Sequence, residues 1–202
     1  TTFLAMLYRW TRERDLIVGT PAAGRSRPEF ADVVGYFVDP VVVRAQADGG
    51  APFDAWLLQI NRAVRAALAH ADFPFGLLVE RLGAPRDASR SPLFDVSFNF
   101  FAVGEGETAD DLDHQSGDAK FDLTLTAVDG PDGLDAAFSF STDLFDRDTI
   151  ERAAGWFARM VEDAGLNPSR PIDAVPLEPT AAPALRGRRT DLDALVPVHE
   201  RI

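Results

Sequence analysis

The 202 residues are 46% apolar with 15 Phe, enough for a sizeable core in one large or two small domains, which excludes disorder of the whole. Cysteine is absent, no run of eighteen apolar residues occurs, and Thr1-Thr2-Phe3 lacks a basic segment ahead of an apolar run. Disulfide frameworks, thiolate metal sites, a membrane span and a signal peptide are therefore not expected, and a soluble cytoplasmic protein is. The net charge of −12 is uneven, since residues 1–102 carry 11 acids and 11 bases and residues 103–202 carry 21 acids and 9 bases; such a surface repels phosphate backbones and anionic lipid, so neither nucleic acid nor membrane is expected as a partner.

In chain order, Phe3, Leu4, Leu7 and Tyr8 form the stripe of an amphipathic helix over 3–13, and Leu16-Ile17-Val18 reads as a strand. Gly19 to Pro28 reads as a loop. Val33 to Val43 is a nearly continuous β-branched and aromatic run, which predicts a strand covered on both faces; Pro40, with no N–H to donate, requires a bulge or an edge there. Phe53, Trp56, Leu57, Ile60, Val64, Ala67 and Leu68 keep helical spacing from Pro52 to a stop before Pro74. A short helix over Phe75–Leu82 ends at Gly83, which tolerates the left-handed backbone of a C-cap.

Phe94, Val96, Phe98 and Phe100 alternate with polar residues, predicting a strand with four large side chains on one face. Phe121, Leu123, Leu125 and Ala127 repeat the pattern, Asp129 to Gly133 turns, and Leu134, Ala136, Phe138 and Phe140 return as a hairpin. Asp146 is placed to cap a helix with Ile150, Ala153, Ala154, Phe157, Val161 and Ala164 inward. Residues 103–118 hold six acids and no Lys or Arg, as expected of a solvent-facing loop. From Asn167 onward Pro and Ala dominate and periodicity is lost, which reads as linker.

Gly19-Thr20-Pro21-Ala22-Ala23-Gly24-Arg25-Ser26 mimics a phosphate-binding loop, but Arg stands where Lys is needed and Pro28 denies the following helix, so a loop without nucleotide is preferred. His70 sits at the end of the long helix, where an imidazole can bond free carbonyls; His114 and His199 are scattered, and no spacing supports a metal site. Arg86, Asp87 and Arg90 suit an ion-paired brace with Ser89 bonding the backbone.

Three ordered strings go beyond packing: Val34-Gly35-Tyr36-Phe37-Val38-Asp39-Pro40 with Arg44, His70-Ala71-Asp72-Phe73-Pro74-Phe75, and Arg86-Asp87-Ala88-Ser89-Arg90-Ser91-Pro92-Leu93. They resemble the VGxFVN…R, HQDxPF and RDxSRxPL motifs of the C-terminal lobe of nonribosomal peptide synthetase condensation domains. The catalytic HHxxxDG motif of that family lies in an upstream lobe, and this chain has no adjacent histidine pair. The resemblance implies an α/β lobe of the chloramphenicol-acetyltransferase type, a mixed β-sheet with packed α-helices, over 1–178. Residues 179–202 would form a linker and the start of an adenylation domain, which Val196 to Ile202 resembles.

By that resemblance the intact enzyme joins a donor acyl or peptidyl thioester to the amine of an acceptor aminoacyl thioester, both carried on phosphopantetheine arms of carrier proteins. Its partners would be the upstream lobe, peptidyl carrier proteins and an adjacent adenylation domain. Gly35, Tyr36, Phe37 and Asp39 are the tunnel-lining or acceptor-positioning candidates. His70, Asp72, Pro74, Phe75, Arg86, Asp87, Ser89 and Arg90 are structural candidates, and no catalytic or metal residue is assigned. Asp39 departs from the family's Asn, an acceptor-only carboxylate replacing a group that also donates. A noncatalytic platform for a neighbouring adenylation or carrier domain, and an acyltransferase using a small acyl thioester, are the alternatives.

Overall fold

The computed structural model describes residues 1–25, 27–83, 91–102, 120–130, 133–177 and 195–198. Helix α1 (Thr2–Thr11) buries Phe3, Leu4, Met6, Leu7 and Tyr8 and stops two residues earlier than expected. The stop is local: Arg12 takes a left-handed backbone (φ 63°) and its N–H bonds the Tyr8 carbonyl at 2.8 Å. Strands β1 (Asp15–Ala22) and β2 (Asp39–Gln46) pair antiparallel from Asp15↔Gln46 to Ala22↔Asp39. Thus Gly19 to Ala22, expected as loop, continue the strand.

Helices α2 (Phe53–Leu68) and α3 (Phe75–Leu82) have the expected bounds, and Gly83 closes α3 at φ 62°. Strand β3 (Val96–Ala102) runs parallel to β1 and to β4 (Leu123–Gly130), which forms an antiparallel hairpin with β5 (Gly133–Phe140). Helix α4 (Arg147–Leu166) follows, and a short strand β6 (Leu195–Val198) pairs antiparallel with β5. The mixed six-stranded sheet has the order β2-β1-β3-β4-β5-β6, as the fold class anticipates.

One core lies between the sheet and α1, α2 and α4. Leu16, Val18, Ala45, Leu123, Leu125, Ala136, Phe138 and Phe140 meet Met6, Trp56, Ile150, Ala153 and Phe157 there. Phe138 and Leu125 are fully buried, each contributing about 1.5–3 kcal/mol by leaving water. Alternation sends the opposite set to the other face: Ile17 and Gly19 of β1, Ser97 and Asn99 of β3, Thr124 and Thr126 of β4 and Ser139 of β5. Helices α1, α2 and α4 do not cover that face.

Four expectations need correction. The strand expected over Val33–Val43 starts only at Asp39, because β1 ends at Ala22 and supplies no partner for the residues before it. Nor is β2 covered on both faces, since Val41, Val43 and Ala45 are buried while Arg44 is exposed; of the bulge or edge expected at Pro40 the edge is found, with Pro40 opposite Pro21 at the start of the strand. Phe94 does not join Val96, Phe98 and Phe100, since β3 begins after it, and Phe100 stays 53% exposed. Asp146 occupies the N-cap of α4 without a side-chain capping bond.

Residues 167–177, read as linker, form an ordered strap. Arg9 on α1 donates one terminal nitrogen to the carbonyls of Ile172 (2.7 Å) and Val175 (2.9 Å), while Tyr8 Oη and Arg12 reach the Asp173 carboxylate, both at 3.1 Å. Burial pushes the Arg9 pKa below the ordinary guanidinium value, Arg12 pushes the same way, and Asp173 opposes. Asp54 N–H to the Pro168 carbonyl, Asp173 N–H to the Gly49 carbonyl, and Arg170 to Asp163 at 2.6 Å complete the anchorage. Such anchors leave no periodic trace in sequence.

Between the edge strand β2 and β1, Arg44 grips Asp15 through two bonds of 2.8 and 2.5 Å, and these hold the Asp15 carboxyl below its ordinary value. A depressed carboxylate pKa stabilises the fold above the unfolded value of 3.8, and the contribution fades as pH falls through the folded value. Both groups stand in water, so the gain is small. Thermal unfolding of Asp15→Asn against the unaltered chain should show a slight deficit at neutral pH that closes as the pH is taken down below the unfolded value of 3.8. A deficit that widens on acidification would contradict the pairing.

Candidate functional site

The first two sequence strings meet around the start of β2, beside the residue that follows the third. Asp39 opens that strand, and its Oδ2 accepts the Phe75 N–H at 2.9 Å. Phe75 is the first residue of α3, after Pro74 at the N-cap (φ −59°, ψ 131°), so its N–H is one of the donors a helix leaves unmet, and the positive end of the helix dipole favours a carboxylate. One bond thereby joins the first string to the second across 36 positions. The Phe75 ring stands edge-on to Phe94 (centroids 5.8 Å apart, planes at 65°), the residue that directly follows the third string, and Phe94 lies 5.0 Å from Phe121. Gly19 leaves room for the Phe94 ring: a Cβ there would fall 2.1 Å from it.

The residues ahead of Asp39 form an irregular loop held from its other side. Gly24 (φ 64°) lies so close to the Phe37 carbonyl that a Cβ would fall 1.9 Å from its oxygen. Arg25 donates to the carbonyls of Phe30 and, at 3.3 Å, Gly35, and its guanidinium sits 4.4 Å above the Phe37 ring. Phe37 in turn stacks on Phe30 at 5.6 Å. The glycine of the phosphate-loop mimic thus serves a close backbone approach and its arginine is engaged within the protein, while Pro28–Phe30 is a single 3-10 turn rather than a helix. Val34 is 100% and Tyr36 85% exposed.

His70 faces the Ala66 carbonyl, Nδ1 to O 2.8 Å, so that nitrogen carries a proton and donates to a free carbonyl of the last turn of α2. Asp72 lies exposed in the turn closed by the Phe73 N–H to the His70 carbonyl. Arg86, Asp87, Ser89 and Arg90 lie outside the described residues, as do His114, His199 and the acidic stretch 103–118. Beside this junction, on the sheet face without α1, α2 and α4, Ser97 is buried and its Oγ bonds the Asn99 Oδ1 at 3.4 Å; the Asn99 amide donates to Thr126 at 3.4 Å. Sequence reasoning missed Arg25, although an Arg between a Gly and two Phe residues, Phe30 and Phe37, is a readable stacking signal.

Among the described residues no helix is long and apolar enough to cross a membrane. Residues 1–183 match the model of the family described as "Condensation domain". The chain is 36% identical over 179 residues to bacitracin synthase 3 of Bacillus licheniformis, covering 86% of this chain and 3% of that protein. A four-domain nonribosomal peptide synthetase bound to AMP and glycine has a similar fold, with a TM-score of 0.74, 20% identity and coverage of 85% of this chain and 15% of that one. The X-domain from teicoplanin biosynthesis, solved in complex with OxyB, gives a TM-score of 0.74 at 23% identity over 89% of this chain and 42% of its own. The sheet with helices packed on it has the chloramphenicol-acetyltransferase-like fold, and the chain belongs to the condensation domain family.

Proposed function

We propose that this chain is the C-terminal lobe of a nonribosomal peptide synthetase condensation domain, residues 1–178, with 179–202 as linker toward an adenylation domain. The observation that carries this reading is the junction of Asp39, Phe75 and Phe94, which joins the first two strings, and the residue that follows the third, beside a sheet face lacking α1, α2 and α4. A companion lobe bearing HHxxxDG would close over that face in the cytoplasm. The tunnel between the lobes would admit the phosphopantetheine arms of two carrier proteins, so the arms arrive with the substrates rather than as a resident cofactor.

In the reaction, the acceptor amine attacks the donor thioester carbonyl, an amide C–N bond forms, the C–S bond breaks, and the amine proton leaves with the thiolate as thiol. The histidine of the companion lobe would assist by orientation or proton transfer, and the Gly35–Asp39 wall would hold the acceptor arm in line. Alone, this lobe is inactive. Mass spectrometry of loaded carrier proteins should find amide product only when the chain is mixed with a separately expressed companion lobe. Product from this chain alone would sink the half-domain account.

The second reading, an interaction platform for a neighbouring adenylation or carrier domain, draws on exposed apolar side chains such as Leu58 (61%) and Leu82 (63%). A solved neighbour in complex with another protein is consistent with it. No product from two folded, associated lobes, together with measurable binding to an adenylation domain, would favour it.

A further inference from the structure

We infer that Arg25 and Asp39 are positioning residues that clamp the 33–38 loop from its two sides and hold Val34 and Tyr36 out toward the acceptor arm. The inference rests on the reading that this loop walls the reaction tunnel. The 100% exposed Val34 and 85% exposed Tyr36 have no burial of their own to fix them, so their placement must come from Phe37 and from the contacts on either side of the loop. On one side the Arg25 fork binds the carbonyls of Phe30 and Gly35 and lies over Phe37, while Gly24 lets the chain close against the Phe37 carbonyl. On the other, Asp39 opens β2 opposite Ala22, and its carboxylate is bonded to the first turn of α3, whose Phe75 ring meets Phe94.

Asp39 therefore acts through the Phe75 amide: one carboxylate oxygen is committed there, at 2.9 Å. An Asn oxygen can accept the same bond, which accounts for either residue serving at this position. Lys cannot replace Arg25, since an ammonium lacks the planar fork that binds two carbonyls while stacking on a ring.

Two measurements on the full chain test the clamp: hydrogen exchange at the Phe75 amide, and chymotryptic cleavage after Tyr36. Asp39→Ala should speed both by about tenfold and Asp39→Asn should restore both; Arg25→Ala and Arg25→Lys should each speed cleavage by about tenfold without changing Phe75 exchange. With the companion lobe present, Asp39→Ala should raise the acceptor KM about tenfold with kcat held within about twofold, as for a residue that positions rather than reacts. Unchanged exchange and cleavage in both alanine variants, failure of Asn to rescue, or a collapse of kcat at constant KM would overturn the inference. A mixture of unaltered lobes that makes no amide would overturn the functional reading instead, and exchange and cleavage would still decide the clamp.

Discussion

Replacing Arg9 by Ala should lower the stability of the fold by about 2–4 kcal/mol, several times the cost of removing an exposed arginine such as Arg62. The Arg9 side chain is only 11% exposed and supplies the donor for both the Ile172 and the Val175 carbonyls. Hydrogen bonds to a charged donor contribute about 1.5–3 kcal/mol each, and their loss removes the arginine donor from the Val175 carbonyl and leaves the Ile172 carbonyl, beside a fully buried side chain, with the long Val175 N–H bond of 3.4 Å. Asp173→Asn should cost far less, because that carboxylate is 45% exposed and one of its two bonds, from Tyr8 or from Arg12, can pass to the amide oxygen. Urea denaturation of the three variants checks this, with faster exchange across 168–175 in Arg9→Ala. Equal midpoints for Arg9→Ala and Arg62→Ala would show that the strap does not depend on the arginine.

The second large effect concerns Gly19 and Phe94, which should be non-additive. Phe94→Ala removes a ring that is 5% exposed and touches Phe75 and Phe121, at about 3–5 kcal/mol. Gly19→Ala should also destabilise, by about 1–3 kcal/mol, because its Cβ would meet the Phe94 ring at 2.1 Å. In the double variant the added methyl enters space the ring has left, so the combined loss should fall short of the sum by about 1 kcal/mol or more. Denaturant unfolding of all four proteins gives the coupling. Strict additivity would mean that the ring does not lie over Gly19.

The elements read correctly from sequence are those whose signal is local. Helix α2, the α3 stop at Gly83, α4 and the β4–β5 hairpin follow from spacing, turn residues and a left-handed position within a few residues of one another. The misplaced pieces depend on distant partners. Residues 33–38 have strong strand composition yet stay irregular because β1 ends at Ala22. The 167–177 strap has no periodicity yet is fastened by Arg9, which lies 163 residues before Ile172.

For the site, the three strings were legible and placed the chain in the correct family, because each is a short run of unusual residues whose order survives without any structure. Their connection was not legible. That Asp39 serves a backbone N–H, that Phe94 turns away from its strand neighbours to lie over Gly19, and that Arg25 braces the loop before β2 are facts of three-dimensional neighbourhood. By itself the sequence determined the helices, the hairpin, the charge distribution and the motif order, all properties carried within short stretches of chain. Only the tertiary structure decided between the bulge and the edge that Pro40 allowed for β2, the extent of the core and the partners of Arg9, Arg25 and Asp39, because hydrogen-bond acceptors and burial are supplied by residues far away in the chain.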